Sequence, residues 1–123
     1  MAGEAILIVE DNPINLKLTK LLLTIEHYDV RTATNAAEAL DVLATFHPRL
    51  ILMDIQLPGK NGLDFTRDLK SDPKFKDIII VALTAYAMKG DEEIAAAAGC
   101  DGYMTKPISA ATFPFEIASY LLK

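Results

Sequence analysis

Apolar residues gather in three short continuous runs, Ala5-Ile6-Leu7-Ile8-Val9, Leu50-Ile51-Leu52-Met53 and Ile78-Ile79-Ile80-Val81-Ala82. No polar residue alternates with them, so both faces of each run must be buried. That is the pattern of central strands in a parallel sheet. Residues 29–33 and 102–104 are two weaker strand candidates. Helical spacing fills the gaps. Ile14, Leu18, Leu21, Leu22 and Ile25 fall on one face of a 3.6-residue period and predict the buried side of a first helix. Asn12 suits its N-cap, and Pro13 suits the first helical position, where a missing N–H does no harm. Ala36, Ala39, Leu40, Leu43 and Phe46 repeat the period until Pro48 blocks it. Residues 63–70 are a shorter, weaker pattern. Asp91-Glu92-Glu93 puts acids in a helix first turn, and the alanine run after them ends at Gly99, a natural C′ residue. A last helix covers about residues 112–122. Capping by Ser109 would set Pro114 inside it at a cost of roughly 3 kcal/mol, so Thr112 is the expected cap.

Strand and helix thus alternate five times. Alternation of this kind predicts an α/β fold with a parallel sheet and right-handed crossovers. Five strands in a chain of 123 residues fit a flavodoxin-like doubly wound sheet of order 2-1-3-4-5 with five helices. Ligands of such sheets bind beyond the carboxyl ends of the strands. Glu10-Asp11 follows the first strand, Asp54 the third, Thr84-Ala85 the fourth and Lys106-Pro107 the fifth. Three carboxylates, a hydroxyl and an ammonium should therefore meet at one edge. Carboxylates held this close repel one another, and a hard cation such as Mg²⁺ relieves the repulsion. Lys and Thr can both bind phosphoryl oxygens, and an Asp can be the nucleophile that forms an aspartyl phosphate. The set points to phosphoryl transfer.

Composition narrows the classes further. With 51% hydrophobic and 24% charged residues, the chain has ample apolar surface for a core. Twelve basic against seventeen acidic residues give a net charge of −5, which disfavours nucleic-acid phosphates as partners. Cys100 is the sole cysteine and allows neither an internal disulfide nor a cysteine zinc site. No basic region precedes the first apolar run, and no run nears the roughly 20 residues a membrane span needs. The expectation is one cytoplasmic domain over residues 1–123, with no membrane or nucleic-acid partner.

Leu7-Ile8-Val9-Glu10-Asp11-Asn12, Leu52-Met53-Asp54-Ile55-Gln56-Leu57-Pro58, Leu83-Thr84-Ala85 and Tyr103-Met104-Thr105-Lys106-Pro107 together resemble the receiver domain of bacterial two-component response regulators. The resemblance spans nearly the whole chain. It implies that Asp54 is the phosphoacceptor and that Mg²⁺ is held by Asp11, Asp54 and the backbone carbonyl of Gln56, with Glu10 acting through water. It implies further that Thr84 is a switch hydroxyl, Tyr103 a switch aromatic, Lys106 the phosphate-binding lysine and Lys106-Pro107 a cis peptide. The acidic pair departs from the common Asp-Asp by having Glu at its first position. The implied partners are a histidine kinase or histidine phosphotransfer protein upstream. Downstream, the implied partner is a protein target on the face of the fourth helix, fifth strand and fifth helix. With no output domain, the chain would signal through phosphorylation-dependent protein binding.

The alternative is an aspartate-based, Mg²⁺-dependent phosphohydrolase on the same fold. Such enzymes carry a second Asp two residues past the nucleophile; here Gln56 stands there, with no acid to protonate a leaving group. Gln56 and Tyr86 each follow a site residue by two positions and are candidates to govern water access to an aspartyl phosphate. His27 and His47 lie near helix ends and receive no catalytic role, and Met53, Met88 and Met104 read as packing or contact residues.

Overall fold

Strand and helix alternate throughout the computed structural model, which describes residues 3–84 and 90–122. In chain order the elements are β1 (Ala5–Val9), α1 (Pro13–Ile25), β2 (Asp29–Ala33), α2 (Ala36–Leu43) and β3 (Leu50–Asp54). They continue as α3 (Gly62–Ser71), β4 (Ile79–Thr84), α4 (Asp91–Ala98), β5 (Gly102–Thr105) and α5 (Phe113–Leu121). The strands form one parallel sheet in the order β2-β1-β3-β4-β5. This is the flavodoxin-like, doubly wound arrangement expected from the alternation.

The continuous apolar runs are explained by what lies on either side. Ile6, Ile8, Leu50, Leu52, Val81 and Leu83 join Leu23 of α1 and Phe113, Ile117 and Leu121 of α5 in one core. Leu7, Val9, Ile51, Met53 and Ile80 face the other way, into Ala39 and Leu43 of α2 and Phe65 and Leu69 of α3. A strand with helices on both faces has no solvent side on which to place polar residues.

Two helix faces differ from expectation. Ile14, Leu21 and Ile25 of α1 are 78%, 55% and 59% exposed, while Thr19 and Leu23 are buried. Apolar residues surround most of this helix, so the period alone defines two stripes. The sheet takes the one containing Leu16, Thr19 and Leu23. Thr19 enters the core because its hydroxyl donates to the carbonyls of Asn15 at 2.9 Å and Leu16 at 3.2 Å. Leu40 is likewise exposed, since the short α2 buries only Ala36, Ala39 and Leu43.

The termini follow local chemistry. The Asn12 side chain accepts from the N–H groups of Ile14 and Asn15, and Pro13 opens α1. Gly99 ends α4 in the left-handed region at φ 106°. α5 starts at Phe113 with Pro114 in its first turn, as capping at Thr112 requires, although the Thr112 side chain makes no cap bond. Ala85, Tyr86 and Met88, singled out in the sequence, lie outside the described residues.

Candidate functional site

Strand register assembles the acidic edge. Val9 pairs with Met53, so the next residues, Glu10 and Asp54, emerge side by side from β1 and β3. These two strands flank the point where the winding reverses, the crevice in which doubly wound sheets bind ligands. Thr84 pairs with Thr105 across β4 and β5, and the Lys106 amide donates to the Thr84 carbonyl at 2.7 Å, which sets Lys106 at the same level.

Glu10 and Asp54 are both 1% exposed. Between them stands the Lys106 ammonium, 2.9 Å from Glu10 Oε1 and 3.4 Å from Asp54 Oδ2. The other Asp54 oxygen, Oδ1, accepts the backbone N–H of Gln56 at 3.0 Å. Burial first, and then a hydrogen bond with Asp54, pushes the Glu10 carboxyl up to about 7 against the pull of Lys106. Burial also pushes Asp54 up, but hydrogen bonds from Glu10 and the Gln56 amide, with the Lys106 charge, hold it below the usual range. Lys106 is raised: its burial opposes the charge, and the two carboxylates outweigh that. The opposite directions of the two shifts favour negative charge on Asp54 over Glu10.

Asp11 is exposed at the mouth of the site. One oxygen from each of Glu10, Asp11 and Asp54 lies within 4.8 Å of the others. Glu10 Oε1 is buried and, although close to Lys106, lacks the directional geometry of a hydrogen bond. Hard oxygens, excess negative charge and an acceptor with a spare lone pair fit a divalent cation of the Mg²⁺ type.

Of the remaining sequence candidates, Thr84 is buried at the end of β4 and Tyr103 is half-buried on β5. Gln56 is exposed in the loop after β3, and the Lys106-Pro107 peptide is cis.

The sequence reading missed Gly62. A Cβ there would lie 2.1 Å from the Asp54 carbonyl oxygen and 2.9 Å from Ile55 Cα. Gly62 also donates its N–H to the Ile55 carbonyl at 2.9 Å. The start of α3 thus rests directly on the backbone that carries Asp54. The signal available was a glycine at a helix start, beside the better cap Asn61.

Comparison with known proteins bears on the same residues. The model of the family described as "Response regulator receiver domain" matches residues 6–117. The polar-differentiation response regulator DivK of Brucella ovis is 46% identical over 118 residues, 96% of each chain. A putative response regulator from Chloroflexus aurantiacus superposes with a TM-score of 0.92 at 26% identity, over 98% of this chain and 99% of that one. The receiver domain of a sensor histidine kinase from Pseudomonas aeruginosa is 31% identical, with a TM-score of 0.88 over 99% of this chain and 100% of its own. That structure has a magnesium ion coordinated in the active-site cleft.

Proposed function

The chain belongs to the response regulator receiver domain family, and from that premise we propose that it accepts a phosphoryl group on Asp54 from a phosphohistidine. The donor is a histidine kinase or a histidine phosphotransfer protein. The observation that carries this reading is the placement of Asp54. It is a buried carboxylate held on one oxygen by the Gln56 amide and on the other by Lys106, with two further carboxylates beside it.

In the transfer, an Asp54 oxygen attacks phosphorus in line as the P–N bond to the donor imidazole breaks. The departing nitrogen takes a proton from solvent. Asp11, Asp54 and the Gln56 carbonyl, with Glu10 through water, would hold a Mg²⁺ ion, and the ion would supply neutralisation of charge on the phosphoryl oxygens. The protein's own groups supply the rest. The Lys106 ammonium pairs with a phosphoryl oxygen, and the Thr84 hydroxyl donates to another. Thr84 in turn couples to Tyr103 on β5, and the change leaves through the face of α4, β5 and α5 as altered affinity for a downstream protein. The phosphohydrolase alternative lacks its acid, because Gln56 occupies that position and is exposed.

Intact-mass measurement after incubation with acetyl phosphate and Mg²⁺ should show one added phosphoryl group. Asp54→Asn or excess chelator should abolish it, and full phosphorylation of that variant overturns the assignment. The melting temperature of the wild type should climb with Mg²⁺, because the ion binds the folded site alone. An undiminished climb in Asp11→Ala would remove Asp11 from the metal set.

A further inference from the structure

The elements α4, β5 and α5 contain Asp91, Glu92, Glu93 and Glu116, and not one Lys or Arg. Between the two helices, over β5, runs a groove of about 230 Å³ lined by Glu92, Ala95, Ala96, Asp101, Tyr103 and Tyr120, among others. Its shape comes from small residues. A Cβ at Gly102 would lie 2.4 Å from the Tyr120 ring, so that ring rests on bare backbone. Alanines 95 and 96 keep the α4 side low. The Tyr120 hydroxyl accepts the Tyr103 N–H at 3.4 Å, which ties the two aromatic walls together.

Asp101 at one end is pre-oriented. Its Oδ2 accepts both the Lys70 ammonium at 2.7 Å and the Ile80 N–H at 2.9 Å, while Oδ1 takes no hydrogen bond among the described residues. Lys70 is a cation next to this face, and it is already engaged by Asp101 and by the Ile78 carbonyl at 2.7 Å. The groove therefore offers acidic groups at Glu92 and Asp101 and aromatic surfaces at Tyr103 and Tyr120, with no cation among its described lining residues.

We infer that this groove receives an arginine side chain from a basic segment of the downstream protein partner. The inference rests on the reading of this face as the output surface and gives that surface its chemistry. A guanidinium is planar, stacks against aromatic rings and binds carboxylates through two donors at once, whereas a lysine ammonium matches only the charge. A second copy docking by the same face would set four acids against four acids, which disfavours self-association there. Arginine is also, with tryptophan and tyrosine, among the side chains enriched at the energetic centres of interfaces. Tyr103 is a wall of the groove as well as the aromatic assigned to the switch, so phosphorylation of Asp54 alters the fit.

The test uses the ¹⁵N-labelled full chain, treated with acetyl phosphate and Mg²⁺ and titrated with N-acetyl-arginine amide. Amide signals of Ala96, Gly102 and Tyr103 should shift and saturate, and the uncharged citrulline analogue should leave them in place. Glu92→Gln should weaken the midpoint by roughly five-fold. Ala96→Leu, at an exposed helix position, should fill the groove and suppress the shifts. Equal shifts with citrulline, or shifts that never saturate, overturn the inference. So do shifts of the same amides that grow with protein concentration alone, which would make a second copy the occupant. The phosphoryl mass measured in the same samples separates the two readings. A chain phosphorylated at Asp54 that ignores the arginine probe discards the groove and keeps the phosphoacceptor. A chain that binds the probe without taking phosphate does the reverse.

Discussion

Lys106 answers two carboxylates at once, and the balance among the three groups makes opposite predictions for two substitutions. Removing the ammonium in Lys106→Met leaves Glu10 and Asp54 buried and facing each other. The expected loss is roughly 2 kcal/mol, below the about 3–5 kcal/mol of a fully trapped charge, because Glu10 can take up a proton. Asp54→Asn leaves one ammonium with one carboxylate and retains an oxygen for the Gln56 N–H. In chelator at pH 7, its melting temperature should rise above the wild type. If both variants melt lower, Asp54 contributes more through its hydrogen bonds than it costs through repulsion. Lys106 carries its charge throughout the neutral range, since its raised folded value means that its contribution fades only as pH climbs through that value.

Single contacts also decide how whole elements sit. α3 begins against the Asp54 carbonyl, so Gly62→Ala must move either the helix or the end of β3. A loss of about 2 kcal/mol is expected, together with slower phosphorylation of Asp54. Both are readable from denaturant midpoints and from the mass-based rate. Gly59→Ala is the control: a Cβ there meets nothing within 4 Å, so only its positive φ of 76° resists the change. At α2, the Asn35 side chain caps the Glu38 N–H at 2.8 Å, while Glu38 Oε1 accepts both the backbone N–H and the hydroxyl of Thr34. The Thr34 amide, then its hydroxyl, holds the Glu38 carboxyl below its ordinary value. A lowered folded value means stability present above the unfolded pKa and lost as pH falls through the folded one. Glu38→Ala should therefore melt below the wild type at pH 7, and thermal scans at descending pH should show the gap closing. A gap that stays constant into acid would assign the effect to helix packing instead.

Across the whole molecule, the site and the proposed output face are joined through β4 and β5. Thr84 ends β4 opposite Thr105, and Tyr103 lies two residues back along β5, opposite Ala82. Thr84→Ala should still take phosphate on Asp54, because neither the nucleophile nor Lys106 is changed. It should lose most of the phosphorylation-dependent shifts of the β5 and α4 amides. If those shifts persist at wild-type size, the signal travels by another route. None of the described helices is long and apolar enough to cross a membrane. The exposed stripe of Ile14, Leu21 and Ile25 on α1 shows how much apolar area remains outside the core.

The sequence by itself determined the parallel sheet, its order and the four loops where chemistry gathers. Unbroken apolar runs of four or five residues, too short for helices and alternating with helical patterns, read as buried parallel strands, and a strand's carboxyl end can be read from its own residues. Glu10, Asp11, Asp54, Thr84 and Lys106 were legible for that reason. Tertiary structure alone decided which stripe of α1 meets the sheet, because a helix that is apolar nearly all round encodes several faces equally well. It also decided that Gly62 lies against Asp54, a contact between backbones that carries no side-chain signature. The clamp from Lys70 to Asp101 belongs to the same class. It joins α3 to the start of β5 across 31 residues, and a charge pair between separate elements is fixed only when packing brings them within reach.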